Sequence, residues 1–387
     1  MTNTLIIGAG PAGLAIAGQL AHRNLPFTVL EASEYIGIAW RNHYDRLHLH
    51  TVKEHSALPH FPYPAEYPTY VSRLQVVEYL ERYAEHFSIR PHFNQNVVSI
   101  RQNDAGTWQV QTRTDTFEAE RVVVATGYNR IPNVPELPGQ RNFRGIIWHS
   151  RDYRNGAAFR DENVLVVGMG NTGAEVALDL LEHGARPFIS VRRPINIVRR
   201  EVFGRPAQPT AIFLSKFPNW FYDFMARLSQ RLTVGDVSAY GLGKPTHAPS
   251  YDTRRGVIPV IDIGTLDQIK AGAIKVVPAI QQINAKTVTF ADGRELPFDA
   301  IILATGYRPG MASILGEPLS EQVLNERGYP KALWFDRPDL RGLYFLGFTT
   351  PLTGIIYNLN IDSAKIANHI SAQLPKQPDS KNITARP

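Results

Sequence analysis

The residues from Thr4 to Gly13, TLIIGAGPAG, decide the fold of this chain. A short apolar run, residues 5–7, is typical of a buried parallel strand, and residues 14–23 after the glycines have helical periodicity. Gly8 permits the tight turn, Gly10 lets the backbone approach a pyrophosphate, and Gly13 lets the helix pack on the strand. The turn is therefore predicted to bind a dinucleotide through Gly8, Gly10, Pro11, Ala12 and Gly13.

A second apolar run, residues 26–30, ends in Glu31. An acid about 20 residues beyond such a turn typically accepts hydrogen bonds from the ribose hydroxyls of the dinucleotide. The order of strand, glycine turn, helix, strand and acid is much more specific for a dinucleotide-binding site than the glycines alone.

The same pattern recurs in the second half of the chain. Residues 163–167 form an apolar run, GMGNTG follows as the turn, and residues 174–183 have helical periodicity. The residues predicted to bind a second dinucleotide here are Gly168, Gly170, Asn171, Thr172 and Gly173.

The strand after the second turn ends differently, in Arg192 and Arg193. An acid at this point would repel a 2′-phosphate, whereas an arginine offers it a planar fork of donors. The second site is thus predicted to bind NADPH rather than NADH; the alternative is that both arginines lie on a solvated strand end. A first site with an acid and a second with arginines indicate FAD plus NADPH, with hydride passing from nicotinamide to flavin.

Two further apolar runs end in the same four residues, Ala-Thr-Gly-Tyr, at 125–128 and 304–307. Each is expected to bring the backbone close to a cofactor or to a crossing between domains, because glycine lacks a Cβ. The residues predicted to contact cofactor here are Thr126, Gly127, Thr305 and Gly306.

These elements predict an α/β fold of two interleaved three-layer dinucleotide-binding domains, with the NADPH domain inserted into the FAD domain. Residues 1–150 and 310–387 are expected to form the FAD domain, which ends in a polar C-terminal tail. Residues 155–305 are expected to form the NADPH domain. Within it, residues 203–259 are rich in aromatics, proline and glycine; they are interpreted as a lid or substrate-pocket wall, or equally as a surface excursion.

The composition of the chain excludes several classes of function. The chain has 387 residues, 43% of them hydrophobic, and no cysteine. Disulfide-reductase chemistry and thiolate metal sites are therefore excluded.

The net charge of +6 comes without a basic block, so no nucleic-acid partner is expected. No signal peptide or transmembrane segment is predicted, which favours a cytoplasmic location. The histidines between 43 and 60 are not expected to bind a metal.

The segment from Phe143 to Tyr153, FRGIIWHSRDY, resembles the fingerprint of class B flavin-containing monooxygenases, with Phe143, Gly145, His149 and Tyr153 at its fixed places. The resemblance covers most of the chain and is nearest to the YUCCA-type enzymes of auxin synthesis. It implies that NADPH reduces FAD and that O2 then forms a C4a-(hydro)peroxyflavin. That species would oxygenate a small organic substrate, either a 2-keto acid that loses CO2 or an amine or thioether.

The resemblance also bears on individual residues. His50, three positions before Lys53, is predicted to donate a hydrogen bond at the flavin edge; the alternative is a histidine away from the flavin. Trp40 and Gly347 are further predicted cofactor contacts. The segment 347–354, GFTTPLTG, lacks the arginine pair expected in the plant enzymes, which removes one cationic partner for a keto-acid carboxylate.

Several alternatives stay open at this stage. Within enzymes, an NADPH oxidase or reductase could pass electrons to a quinone or a protein; outside them, the chain could be a flavin-binding sensor. The segment 217–232 has apolar residues at helical spacing with arginines between them. We expect it to pack on the protein core, with a membrane surface as the alternative. The oligomeric state is open, and a homodimer is one option.

Overall fold

The computed structural model describes residues 2–374, so most of the predicted polar C-terminal tail lies outside the described residues. Its strands are β1 (Thr2–Ile7), β2 (Thr28–Leu30), β3 (Val97–Gln102), β4 (Trp108–Thr112), β5 (Thr116–Val124), β6 (Ile131–Pro132), β7 (Ile146–His149), β8 (Asn163–Val167), β9 (Arg186–Ser190), β10 (Ile197–Arg199), β11 (Glu201–Val202), β12 (Arg205–Pro206), β13 (Val260–Asp262), β14 (Lys275–Val277), β15 (Ile280–Ile283), β16 (Thr287–Phe290), β17 (Glu295–Pro297), β18 (Ala300–Leu303), β19 (Tyr307–Arg308) and β20 (Leu343–Phe345). The α-helices are α1 (Pro11–His22), α2 (Ile38–Arg41), α3 (Arg73–His86), α4 (Asn171–Glu182), α5 (Ala207–Leu214), α6 (Asn219–Thr233), α7 (Pro249–Arg254), α8 (Thr265–Lys270), α9 (Ala312–Leu315), α10 (Leu319–Val323) and α11 (Ile355–Ala372).

The first sheet is built around β5. Strands β2, β1, β5 and β20 run parallel, and β4 and β3 continue from the first half of β5 as an antiparallel meander. Side chains of β1 alternate between two cores, since Ile6 packs with α1 and α3 while Leu5 and Ile7 pack on the meander side. This period of two gives the sheet covered faces on both sides, hence three layers.

The second sheet is entirely parallel, in the order β14-β9-β8-β18-β7. Helix α4 covers one face, where Val164 and Val166 of β8 pack with Leu180. The antiparallel sheet β15-β16-β17 covers the other, where Leu165 packs with Phe290. The chain therefore repeats one architecture twice.

The chain leaves the first sheet after β5, builds the second, and returns to the first at β20. The predicted fold class, an α/β chain with one dinucleotide-binding domain inserted into another, is thereby confirmed. Strand β7 pairs with β18 of the second sheet although it precedes the expected boundary at residue 150. The domain boundaries themselves stay a prediction.

Candidate active site

The first glycine turn has a geometry that only glycine satisfies at two positions. Gly8 has φ +110°, and a Cβ on it would lie 2.6 Å from the carbonyl oxygen of Ala125. A Cβ on Gly13 would lie 1.8 Å from the carbonyl oxygen of Gly8. A Cβ on Gly10 would meet nothing within 4 Å. The turn thus packs tightly against the protein at its two ends and leaves space at Gly10, where a pyrophosphate fits.

The second turn repeats this geometry. Gly168 has φ +104°, and its Cβ would lie 2.8 Å from the carbonyl oxygen of Ala304. A Cβ on Gly173 would lie 2.0 Å from the carbonyl oxygen of Gly168, while one on Gly170 would meet nothing within 4 Å. Both turns therefore combine a fixed backbone with free space at the start of a helix, where backbone N–H groups favour an anion.

Glu31 lies beside the first turn. Its carboxylate accepts hydrogen bonds from the backbone N–H of Ala9 at 2.7 Å and from the N–H and hydroxyl of Ser33, both at 2.9 Å. These bonds fix the orientation of the buried acid, and two carboxylate oxygens have further acceptor capacity for a ribose.

At the corresponding point of the second site, Arg192 and Arg193 follow β9 and are exposed. Neither forms an ion pair within the described residues. Their guanidinium groups are therefore available to an exposed phosphate, and their role stays a prediction.

The two Ala-Thr-Gly-Tyr segments are placed by the glycine turns that they contact. Thr126 and Gly127 line a large cavity, and the buried Oγ1 of Thr126 has no hydrogen-bond partner among the described residues. Thr305 instead donates to the carbonyl oxygen of Asn133 at 2.6 Å, and β19, which begins next to Gly306, pairs with β6. The first segment lies at the cavity, whereas the second lies at the crossing between the domains.

The cavity has a volume of about 1000 Å³ and is bounded by both halves of the chain. Pro11 and Ala12 of α1 contribute from the first glycine turn, and Asn171 and Thr172 of α4 from the second. Trp40, His50 and Gly347 also line it. Gly347 needs its missing side chain, since a Cβ there would lie 2.8 Å from the Cβ of Ala12. A space of this size between two nucleotide-binding turns suits a flavin, a nicotinamide and a small substrate.

Part of the segment 203–259 forms a wall of this cavity. Helices α5 and α6 contribute Leu214, Tyr222 and Met225. Gln208 of α5, which is buried, accepts from the backbone N–H of Val52 at 2.8 Å and donates to the carbonyl oxygen of Thr353, also at 2.8 Å. One amide thereby joins the wall to two loops of the first domain.

His50 lies in a buried polar cluster that the sequence did not indicate. Its Nε2 lies 2.5 Å from Oε1 of Glu175 on α4, and the same oxygen accepts from the hydroxyl of Tyr44 at 3.1 Å. Burial raises the pKa of Tyr44 well above its usual value, and the negative charge of Glu175 adds to this. Neighbouring His43, also at the cavity, has its pKa lowered to about 4, mainly by burial. One signal for Glu175 was available, namely a charged residue between Ala174 and Val176 on an apolar stretch of the helix.

Two adjacent arginines of the cavity wall differ in their partners. Arg199 pairs with the carboxylates of Asp262 and Asp267, each at 2.6 Å. Arg200 places its guanidinium 3.9 Å from the ring centre of Tyr70, and its buried Nε has no hydrogen-bond partner within the described residues. Burial raises the pKa of the Tyr70 hydroxyl to about 12. Arg200 therefore brings to the cavity a cation that has no carboxylate partner among residues 2–374.

The residues of the 143–153 fingerprint have structural positions. A Cβ on Gly145 would lie 2.1 Å from the carbonyl oxygen of Asp299. His149 Nε2 lies 3.1 Å from the carbonyl oxygen of Gly306, and the buried Tyr153 donates to Asp179 at 2.5 Å. These contacts join β7 to β18 and to α4 and hold the second glycine turn in place.

Within residues 2–374, no helix combines the length and the apolar composition of a membrane span. In the same range, no group of three histidine or acidic side chains is placed to hold a metal ion.

Comparison with known proteins identifies the class. The model of the flavin-binding monooxygenase-like family matches residues 2–385, and the chain belongs to this family. It is a flavin-dependent monooxygenase that uses FAD and NADPH.

Plant enzymes are among its curated relatives. The chain is 40% identical to indole-3-pyruvate monooxygenase YUCCA1 of Oryza sativa subsp. japonica, over 95% of this chain and 91% of the relative. It is 36% identical to the probable indole-3-pyruvate monooxygenase YUCCA3 of Arabidopsis thaliana, over 98% of this chain and 89% of the relative.

Solved structures share the fold at lower identity. A flavin-containing monooxygenase from Stenotrophomonas maltophilia superposes with a TM-score of 0.71 at 19% identity, covering 96% of this chain and 98% of that one. OTEMO, solved in complex with FAD and NADP, superposes with a TM-score of 0.71 at 17% identity, covering 96% and 85%.

Proposed function

We propose that this enzyme oxidatively decarboxylates a 2-keto acid that carries a large apolar side chain. The overall reaction is RCOCOO⁻ + O2 + NADPH + H⁺ → RCOO⁻ + CO2 + H2O + NADP⁺. One oxygen atom enters the new carboxylate and the other leaves as water, with the two electrons supplied by NADPH. The plant relatives are indole-3-pyruvate monooxygenases by name, which supports this substrate class.

Arg200 is the observation that carries the proposal. The segment 347–354 lacks the arginine pair expected from the resemblance. Arg200, from a different part of the chain, brings a guanidinium to the cavity with a buried and unpartnered Nε. The part of the guanidinium that faces the cavity would pair with a keto-acid carboxylate through a charge-assisted hydrogen bond. Leucine, methionine and aromatic side chains of α5 and α6 on the same wall would hold the apolar end of the substrate.

The cofactor-binding roles follow from the two turns. We assign the pyrophosphate of FAD to Gly10 with Pro11 and its ribose to Glu31. The pyrophosphate of NADPH is assigned to Gly170 with Asn171, and its 2′-phosphate to Arg192. When bound, the flavin supplies the acceptor for the hydride of NADPH and the site of O2 activation.

The chain's own residues then orient and shield the reactants. Arg200 would fix the carboxylate, so that the neighbouring carbonyl has one orientation in the cavity. The wall formed by α5 and α6 would exclude water, which strengthens every electrostatic contact inside. His50, whose Nε2 contacts Glu175, would face the reacting oxygen with Nδ1, which donates a hydrogen bond when both ring nitrogens carry a proton.

The test is a substrate assay under air with indole-3-pyruvate, phenylpyruvate and a thioether of similar size. We expect the keto acids to yield the shortened acid and CO2 in step with NADPH consumption, and the thioether to yield no sulfoxide. Turnover of the thioether alone would contradict the proposal and favour S-oxygenation. Reduction of a quinone without oxygenated product would favour the oxidase or reductase alternative.

A variant tests the role of Arg200. Arg200→Gln should raise KM for the keto acid roughly 10- to 100-fold, because a charge-assisted hydrogen bond of about 1.5–3 kcal/mol is lost. KM for NADPH should not change. Arg205→Gln, which removes an exposed arginine that also lines the cavity, is the matched control. A rise in KM for NADPH instead would assign Arg200 to the cofactor.

A further inference from the structure

Helices α5 and α6 leave a continuous apolar surface open to solvent. We call it the apolar ridge; all of its members are exposed, and they are Phe213, Phe217, Trp220, Phe224, Leu228 and Leu232. Trp220 alone is 71% exposed. Surfaces of this kind on a soluble chain mark interaction sites, because apolar area in contact with water is unfavourable.

The spacing of these residues explains why they form one surface. Trp220, Phe224, Leu228 and Leu232 follow one another at intervals of four along α6, so they occupy one side of the helix. Around the corner to α5, the rings of Phe213 and Phe217 lie 5.3 Å apart. The ridge therefore extends over both helices and the turn between them.

The expectation that the segment 217–232 packs on the protein core is only partly met. None of the residues of α6 is fully buried. One side of the helix, including Tyr222, Met225 and Ser229, lines the cavity, and the other side carries Trp220 and Phe224. Leu228 and Leu232 of the ridge are exposed and also border the cavity. The helix is thus a thin wall between the cavity and the outside.

A further exposed apolar side chain, that of Phe203, lies at the start of the segment 203–259. Phe203, at the tip of the hairpin β11–β12, is 82% exposed and has φ +51°, in the left-handed region. The hairpin leads directly into α5, and Phe203 also lines the cavity. Phenylalanine is one of the side chains that interfacial helices bury at the boundary of headgroups and acyl chains.

Residues 201–232 carry four exposed cations against one exposed acid, Glu201 of the hairpin. Arg205, Lys216, Arg227 and Arg231 are exposed, and none of them pairs with a carboxylate within residues 2–374. The acid of α6, Asp223, instead accepts from Ser250 at 2.6 Å. The ridge is therefore an apolar band flanked by free cations.

We propose that the apolar ridge docks on an anionic lipid surface. Apolar side chains would insert at the boundary of headgroups and acyl chains while the flanking arginines and lysine meet anionic headgroups. A second copy of the chain is a poorer occupant, because a two-fold axis through the ridge would bring cations against cations. Docking would place the outer wall of the cavity at the membrane, where apolar substrates concentrate. This inference is independent of the proposed substrate.

Flotation of the flavin-loaded protein with lipid vesicles tests the proposal. The protein should float with phosphatidylcholine vesicles that contain phosphatidylglycerol, and much less with phosphatidylcholine alone. The double variant Trp220→Ser/Phe224→Ser should bind roughly 10- to 100-fold more weakly, because two apolar side chains no longer insert. Arg227→Gln/Arg231→Gln should lose the preference for anionic vesicles. Leu74→Ser, at an exposed leucine of α3, is the matched control and should bind like the wild type.

A fluorescence measurement keeps the test valid if a ridge variant folds poorly. Trp220 is exposed, whereas the other tryptophans are buried or partly buried. Brominated phosphatidylglycerol vesicles should quench the emission of the wild type, and Trp220→Phe should bind equally well without that quenching.

Two results would overturn the proposal. One is wild-type protein that does not float with anionic vesicles. The other is a wild-type dimer in solution that Trp220→Ser/Phe224→Ser converts to monomer, since a second copy would then cover the ridge. Either result would leave the proposed substrate class standing. Trp220 and Phe224 do not line the cavity, so the double variant should turn over substrate normally in the absence of vesicles.

Discussion

His50 and Glu175 are 125 positions apart in the chain, yet Nε2 of the one lies 2.5 Å from Oε1 of the other. His50 belongs to a loop of the first domain and Glu175 to the helix that follows the second glycine turn. The pair therefore spans the boundary at which FAD and NADPH are proposed to meet. Because Glu175 is almost fully buried, its carboxylate depends on His50 and Tyr44 for its hydrogen bonds.

The first prediction concerns this pair. His50→Ala should consume NADPH at a nearly normal rate, but with less product and more H2O2 per NADPH. Loss of a positioned donor costs about 2.7–4 kcal/mol, which corresponds to roughly two orders of magnitude in the favoured step. Glu175→Gln should have a similar effect, and the double variant should be no worse than either, because the residues act as a unit.

The control for this experiment is His48→Ala, since His48 is a second histidine of the same loop that also lines the cavity. An unchanged ratio of product to peroxide in a flavin-loaded His50→Ala enzyme would remove His50 from the site. Additive effects of the two single variants would show that the pair does not work together.

The second prediction separates cofactor binding from folding in the first glycine turn. Gly10→Val should fold with a nearly normal melting temperature but purify without flavin, because its side chain would occupy the open space proposed for the pyrophosphate. Gly13→Ala should instead lower the melting temperature, since its Cβ would overlap the carbonyl oxygen of Gly8 at 1.8 Å. Flavin absorbance and thermal unfolding of both variants check this. A yellow Gly10→Val protein would contradict the FAD assignment.

The third prediction concerns the choice of nicotinamide cofactor. Arg192→Ala should raise KM for NADPH roughly 10- to 100-fold and leave KM for NADH nearly unchanged, because a charge-assisted contact of about 1.5–3 kcal/mol to the 2′-phosphate is lost. Added salt should weaken NADPH binding more than NADH binding, since Arg192 is exposed. Arg141→Ala, at another exposed arginine, serves as control. Equal effects on both cofactors would show that Arg192 does not contact the 2′-phosphate.

The fourth prediction is a pH dependence of stability that originates at His43. Burial lowers its pKa in the folded protein from 6.5 to about 4. Between these two values the unfolded chain binds the proton and the folded chain does not, so the free energy of unfolding falls as the pH falls. The full loss is on the order of 3 kcal/mol, reached near pH 4.

Urea unfolding at a series of pH values between 7 and 4 measures this effect. The variant His43→Gln removes the titrating group, and its free energy of unfolding should depend less on pH over the same range. An identical pH dependence in the wild type and in His43→Gln would assign the effect to other groups.

The sequence determined the fold class and the two nucleotide-binding turns. Each turn is a local pattern of about 30 residues, in which a buried strand, three glycines and a helix follow one another. The steric constraints that require glycine act within that stretch or between it and the end of one neighbouring strand, as at Gly8 and Gly168. Alternation of apolar residues in β1 likewise fixes which side chains face which core.

Only the tertiary structure decided how the two halves meet. Three features depend on packing between segments that are far apart in sequence. They are the contact of His50 with Glu175, the amide of Gln208 that joins the cavity wall to two distant loops, and the position of the Arg200 guanidinium over the ring of Tyr70. Periodicity predicted a helix near residues 217–232 but did not reveal that one side lines a cavity while Trp220 and Phe224 on the other stay exposed. An amphipathic pattern shows that a helix has an apolar and a polar side. What each side contacts depends on how the rest of the chain packs.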